Sequence, residues 1–276
     1  VRHGHVRPNR KHVGVVLALE LDMTMMAVAG ALALRFGILS ATLPLLEVRT
    51  VPPLWRIALA ICFAAALTPA VSSSLPMGAI SLSWEILVLE GLRSLVIGAV
   101  LGFTVNLIFT AVRYAGSVAG MQVGFAIVNA YDPLSNSQIS VISQFYYLMA
   151  VLIFFVTGTH HVLVSAMFQS CIVAPPFTAL DPTAGAWHLL REFSTVFSIG
   201  LRIAGPIVIV LLLVSGSMGV IVKTVPQINI LVVGFPIKIG VGVITLGLSL
   251  VFFKEATVGL MGEIEQNLSE ALLALR

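Results

Sequence analysis

Residues 196–222 read VFSIGLRIAGPIVIVLLLVSGSMGVIV, and this stretch decides the fold class. It holds one ionisable side chain, Arg202, in a run long enough to cross a bilayer, because about 20 residues at roughly 1.5 Å rise span a hydrocarbon core of about 30 Å. The whole chain shares this character: 58% of its 276 residues are hydrophobic, 10% are charged, and the mean hydropathy is +1.05. Soluble domains carry about 25% charged residues, so lipid is the natural solvent here. The reading is an all-α, polytopic helical membrane protein of helical hairpins with broken helices.

Working outward, apolar runs recur in both directions. Upstream lie residues 13–46, broken by Arg35 and Pro44; residues 54–71, which start after Pro52-Pro53 and end around Pro69; residues 84–112; and a run from Ser117 interrupted at Asp132-Pro133. Residues 145–173 form two apolar halves around Thr157-Gly158-Thr159-His160-His161, a hairpin or a broken span. Residues 174–192, with Pro175-Pro176 and Asp181-Pro182, read as the longest polar connection, and residues 228–253 as the last span. The tail, residues 254–276, sets Val258, Met261, Ile264, Leu268, Leu272 and Leu275 at three- and four-residue steps, with Glu263, Glu265 and Glu270 elsewhere. That pattern predicts an amphipathic helix, and its acidity favours packing on protein over an anionic lipid surface. The expected organisation is a basic extension over residues 1–12, a membrane-embedded domain over 13–253 and an amphipathic helix over 254–276.

Arg2, Arg7, Arg10 and Lys11 concentrate positive charge at the start, which places that end in the cytoplasm by the positive-inside tendency. A secretory signal is the competing reading, but Glu20 and Asp22 interrupt the apolar stretch. Cys62 and Cys171 lie far apart in apolar runs and are expected to be buried small hydrophobes.

Small residues repeat at helical spacing: Gly98 and Gly102, then Gly116, Gly120 and Gly124, then Ser215 and Gly219. Such rows let helix backbones approach closely in a membrane, either within one chain or between subunits. Arg35, Glu90, Arg93, Arg113, Arg202, Lys223 and Lys238 interrupt apolar segments and each calls for a partner or water. Glu90 and Arg93 answer each other at three-residue spacing, Lys223 and Arg113 are expected to snorkel, and Arg202 and Lys238 have no local partner. Between Met121 and Ser143, helix-breaking and polar residues accumulate; the segment reads either as a loop lining a pore or as an ordinary turn. No nucleophile, metal-ligand or phosphate-loop pattern is present, and no basic aromatic surface suits nucleic acid. Neither an enzyme nor a cofactor is expected.

Several segments, in order, resemble the FliR family of the flagellar protein export gate, which is related to a subunit of injectisomes. They are Arg35-Phe36-Gly37-Ile38 leading to Pro44 and Val51-Pro52; residues 98–103, GAVLGF; residues 119–125, AGMQVGF; Asp132-Pro133; residues 141–146, VISQFY; Gly158-Thr159-His160-His161; and residues 225–230, VPQINI, followed by Gly234-Phe235-Pro236. The resemblance implies a subunit of a hetero-oligomeric helical assembly with FliP-like and FliQ-like subunits, alongside FlhB-like and FlhA-like proteins. In it they enclose a channel for unfolded export substrates at the inner membrane and flagellar basal body. It also implies that the assembly is largely lifted out of the bilayer plane. The family's channel plug falls here on Gly124, Phe125, Ile127, Val128, Asn129, Ala130, Tyr131, Asp132 and Pro133. Subunit or helix packing falls on Gly98, Gly102, Gly116, Gly120, Pro226, Gln227, Gly234, Phe235 and Pro236. Ile127 and Ala130 are aliphatic where some relatives place aromatics, with Tyr131 beside them. The alternatives are an injectisome export-gate subunit and a secondary small-solute transporter in which Arg202 and Lys238 form a midplane site.

Overall fold

A backbone that lacks water to bond with must satisfy its own N–H and C=O groups, and in so apolar a chain the helix does this within one segment. A computed structural model describes residues 10–43, 52–74, 83–124, 140–178, 182–225, 227 and 230–275. These form seven helices and no strand: α1 (Arg10–Thr42), α2 (Pro53–Ser74), α3 (Trp84–Val123), α4 (Val141–Val156), α5 (Thr159–Val173), α6 (Pro182–Thr224) and α7 (Ile230–Ala274). The fold is all-α, with five helices long and apolar enough to cross a membrane. The pair α4 and α5 makes a sixth candidate, bent by 70° where Thr157-Gly158 intervenes. Gly158 adopts the left-handed conformation (φ 74°) that this turn requires.

The helices run longer than the apolar runs suggest. The expected break near residues 113–116 is absent, because α3 is one helix of 40 residues. There the Arg113 guanidinium lies over the Tyr147 ring at 4.1 Å, so the charge is met by an aromatic face and does not force a chain end. Helix α2 continues through Pro69 to Ser74, and the 174–192 connection shrinks because α6 starts at Pro182. Proline is favoured at that first helical position, where its missing donor would be unpaired in any case. Helix α7 runs unbroken for 45 residues through Lys254 into the tail. In that tail Met261, Ile264, Leu268, Leu272 and Leu275 are buried, while Val258 is 40% exposed. Cys171 is buried as expected, but Cys62 is exposed on α2.

The chain divides into two compact units, residues 1–103, 165–186 and 270–276 against residues 104–164 and 187–269. Within the first, Phe36 of α1 meets Phe63 of α2 edge to face at 6.2 Å, and the core includes Leu32, Phe36, Leu39, Ile97 and Leu101. Gly185, at the start of α6, leaves room for the Leu275 side chain. Within the second, Phe109 of α3 packs against Tyr147 and Phe154 of α4 at 6.1 and 5.7 Å, and Tyr146 stacks on Phe253 of α7 at 4.3 Å. Gly200 of α6 lies against the Tyr114 ring, and Gly242 of α7 against Val123.

Candidate functional site

Two constructions stand out, each inside one unit. The first begins with Arg35, which is fully buried in α1. Its Nη1 donates to the carbonyl oxygens of Ser170 at 3.0 Å and Ala174 at 3.2 Å. Ser170 lies in the last turn of α5, where its carbonyl also accepts from the Ala174 N–H at 3.1 Å, and Ala174 directly follows the helix, at the end where the dipole concentrates negative partial charge. Arg35 is thus a cap for α5 supplied from a distant helix. Its Nη2 lies 3.9 Å from Glu90 Oε1, an ion pair in a region closed to water.

Glu90 of α3 is the hub. Its Oε2 accepts from the Phe177 N–H at 2.6 Å and from Arg93 Nη1 at 3.3 Å, while Oε1 accepts from Ser94 Oγ at 3.2 Å. Arg93 donates in turn to the Pro175 carbonyl and, at 2.6 Å, to Thr178 Oγ1. Two guanidinium groups face one carboxylate, and the α5 carbonyls supply the balance. The result clamps the 174–178 connection, in which Phe177 holds a left-handed backbone (φ 65°) unusual for a side-chain-bearing residue. The sequence reading found Glu90 and Arg93 from their spacing. Phe177, Ser94 and Ser170 carried no local signal.

The second construction is the row Gly116, Gly120 and Gly124 on α3. A Cβ on Gly116 would collide with the Ser143 backbone, and one on Gly120 with the Ser140 side chain. Ser143 Oγ also donates to the Arg113 carbonyl at 2.8 Å, so the start of α4 lies directly against the end of α3. Gly124 closes α3 with φ 104°, its N–H reaching the carbonyls of Gly120 at 3.3 Å and Met121 at 3.2 Å. The Phe235 ring of α7 sits against it, 3.2 Å from where a Cβ would be. Gly124 on Phe235 and Ser140 on Gly120 are thus each closely packed.

The other expected packing residues distribute as follows. Gly98 and Gly102 of α3 leave no room for a Cβ, the first against the Arg35 carbonyl and the second against Thr42. Gly219 has open space around it, and Ser215 Oγ bonds back to the Leu211 carbonyl at 2.8 Å. Gly234 and Phe235 are half-buried; Pro236, inside α7, and Gln227 are exposed. Lys223 and Arg202 are exposed and Lys238 is half-buried. The residues expected to form a plug, Phe125, Ile127, Val128, Asn129, Ala130, Tyr131, Asp132 and Pro133, together with Pro226, lie outside the described residues.

The chain matches the profile of bacterial export proteins, family 1, over residues 26–264, a region that contains both constructions. It is 33% identical over 221 residues to the flagellar biosynthetic protein FliR of Bacillus subtilis (strain 168), covering 77% of this chain and 82% of the relative. This chain belongs to the FliR family. FliR of Pectobacterium carotovorum subsp. carotovorum is 31% identical over 184 residues (67% of this chain, 70% of the relative), and that of Escherichia coli (strain K12) 28% over 211 residues (76% and 79%). Membership of the FliR family fits the resemblance carried by the segments around Arg35, Gly98, Gly120 and Gly158. As a FliR-family chain it is a membrane protein of a flagellar protein export family.

Proposed function

We propose that this chain is a subunit of the flagellar protein export gate in the bacterial inner membrane. It assembles there with FliP-like and FliQ-like subunits around a channel for unfolded export substrates, next to FlhB-like and FlhA-like proteins. It contributes no chemistry; it contributes a wall and a closure. The names of its relatives favour the flagellar system over an injectisome.

The observation that carries the reading is the close packing of Gly116 on Ser143, Gly120 on Ser140 and Gly124 on Phe235, on either side in sequence of residues 125–139. A loop that must obstruct a channel, yield to a passing chain and return needs a fixed base, and close backbone contact through glycines provides one. Helix length supports the assembly. At about 1.5 Å per residue α3, α6 and α7 reach roughly 60–68 Å, twice the roughly 30 Å apolar core of a bilayer. In α6 and α7 only 11% of the most apolar window is buried within the chain, so lipid and neighbouring subunits must cover the remainder.

Removing residues 125–131 tests the closure. Cells carrying the shortened chain are expected to assemble the gate, and to leak ions and small solutes; assembly with unchanged permeability would refute the plug.

A further inference from the structure

Three charged side chains line one cavity, and none has a partner. The cavity, about 290 Å³, lies within the second unit between α3, α6 and α7. Glu192 and Arg202 of α6 and Glu263 of α7 stand on its wall, and among the described residues neither an ion pair nor a side-chain hydrogen bond engages any of them. Arg202 and Glu192 are ten residues apart on one helix, about 15 Å of rise and well beyond ion-pair contact. Two carboxylates against one guanidinium leave the cavity net negative.

The rest of the lining says what kind of cation fits. Ile108 of α3 and Val196 of α6 are buried and Leu260 of α7 is half-buried, and all three border the same space, so an apolar interior lies under an acidic edge. That combination matches an aliphatic stem ending in a cation, because lysine and arginine bury their methylenes on apolar surface and keep the charged head at a polar boundary. A bare metal ion makes no use of the apolar lining and meets the Arg202 guanidinium as a like charge. A small free cation at a partly exposed site is held only weakly, so the stem must be presented by a chain that is bound through other contacts as well. On the same stretch of α7, Glu255 and Glu265 are also exposed, with Lys254 the one basic residue between positions 254 and 274, and this field favours a basic partner.

We infer that this cavity receives a lysine or arginine side chain of a neighbouring gate subunit, with its methylenes against Ile108, Val196 and Leu260 and its charged head on Glu192 and Glu263. Arg202 repels the head and confines it to the carboxylates. The inference rests on the reading of this chain as one subunit of an assembly, and adds to it which surface is used and the charge of the residue that fills it.

In the full chain, a photo-reactive phenylalanine analogue replaces Ser198, which lines the cavity and is exposed. After irradiation of the membranes, the chain is purified in mild detergent with the subunits that accompany it, and the cross-link is mapped by peptide mass spectrometry. It is expected within about one helical turn of a lysine or arginine of another subunit. The isosteric pair Glu192→Gln, Glu263→Gln is expected to lower the cross-link yield about tenfold, the worth of one charge-assisted hydrogen bond, whereas Arg202→Gln does not lower it. Exchanging the charges, with glutamate for the mapped basic residue and Glu192→Lys with Glu263→Lys in this chain, restores the yield, a rescue that a purely structural role does not give. The inference is overturned by no cross-link, by a cross-link to lipid, to a second copy of this chain or to a segment without a basic residue, and by an unchanged yield in the glutamine pair. A loss in Arg202→Gln as large as in that pair overturns it as well. With other subunits co-purifying, those outcomes leave the assembly reading intact; if none co-purifies with the parent chain, that reading falls and this inference falls with it.

Discussion

Replacing Glu90 by Gln probes the buried clamp with almost no change of shape. The amide keeps one acceptor oxygen but loses the charge that opposes Arg35 at 3.9 Å and Arg93 at 3.3 Å. Of the three donors that the carboxylate accepts, Phe177 N–H, Arg93 Nη1 and Ser94 Oγ, at least one then faces an NH₂ group. Removing one partner of a buried ion pair costs about 3–5 kcal/mol, and a buried donor left unpaired adds about 1–3 kcal/mol. Taking the ion-pair loss alone, and about 2–4 °C per kcal/mol for a chain somewhat shorter than this one, the thermal midpoint falls by roughly 6–20 °C. The assay is a melting curve of the full chain in mild detergent, followed by size-exclusion chromatography. The double variant Glu90→Gln, Arg93→Gln is expected to lose less than the sum of the single losses, by about 1–3 kcal/mol of coupling. A midpoint for Glu90→Gln within about 1 °C of the parent, the response of an exposed pair, would refute a clamp that holds the 174–178 connection.

Further expectations are narrower. Gly116→Leu and Gly120→Val should prevent the start of α4 from approaching α3, giving protein that is degraded or does not co-purify with other subunits. Gly216→Ala and Gly240→Ala, where nothing lies within 4 Å, should be neutral or raise the midpoint by the equivalent of up to about 1 kcal/mol each. Phe177→Gly keeps the N–H that Glu90 accepts and relieves the left-handed backbone, so it should cost little, while Phe177→Pro removes the donor and should behave like Glu90→Gln. In the tail, Ile264→Asp places a charge at a fully buried position and should destabilise the chain by several kcal/mol, measured as lost monodispersity in detergent.

The membrane class was legible because composition and run length act over the whole chain, as residues 196–222 show on their own. Helix ends were less legible. Hydropathy reports where lipid-like character stops, and helices continue past that point whenever side chains find other partners. Arg113 on Tyr147 and the buried tail row through Leu275 both extend helices beyond the apolar runs. The Glu90–Arg93 pair was visible because its partners sit one helical turn apart. Arg35 reaches Ser170 and Ala174 across 135 and 139 residues of sequence, and only the folded chain reveals that an arginine caps a remote helix. The glycine row was visible as a pattern, but which side met Ser140, Ser143 and Phe235 was not. Cys62 shows the converse: an apolar neighbourhood in sequence does not imply burial when lipid or another subunit is the surroundings.

The central claim is tested most directly by isolating the tagged full chain from membranes in mild detergent and identifying co-purifying subunits by mass spectrometry. The account predicts FliP-like and FliQ-like proteins in fixed stoichiometry with this chain. A stable chain that purifies alone, or only with itself, would contradict it.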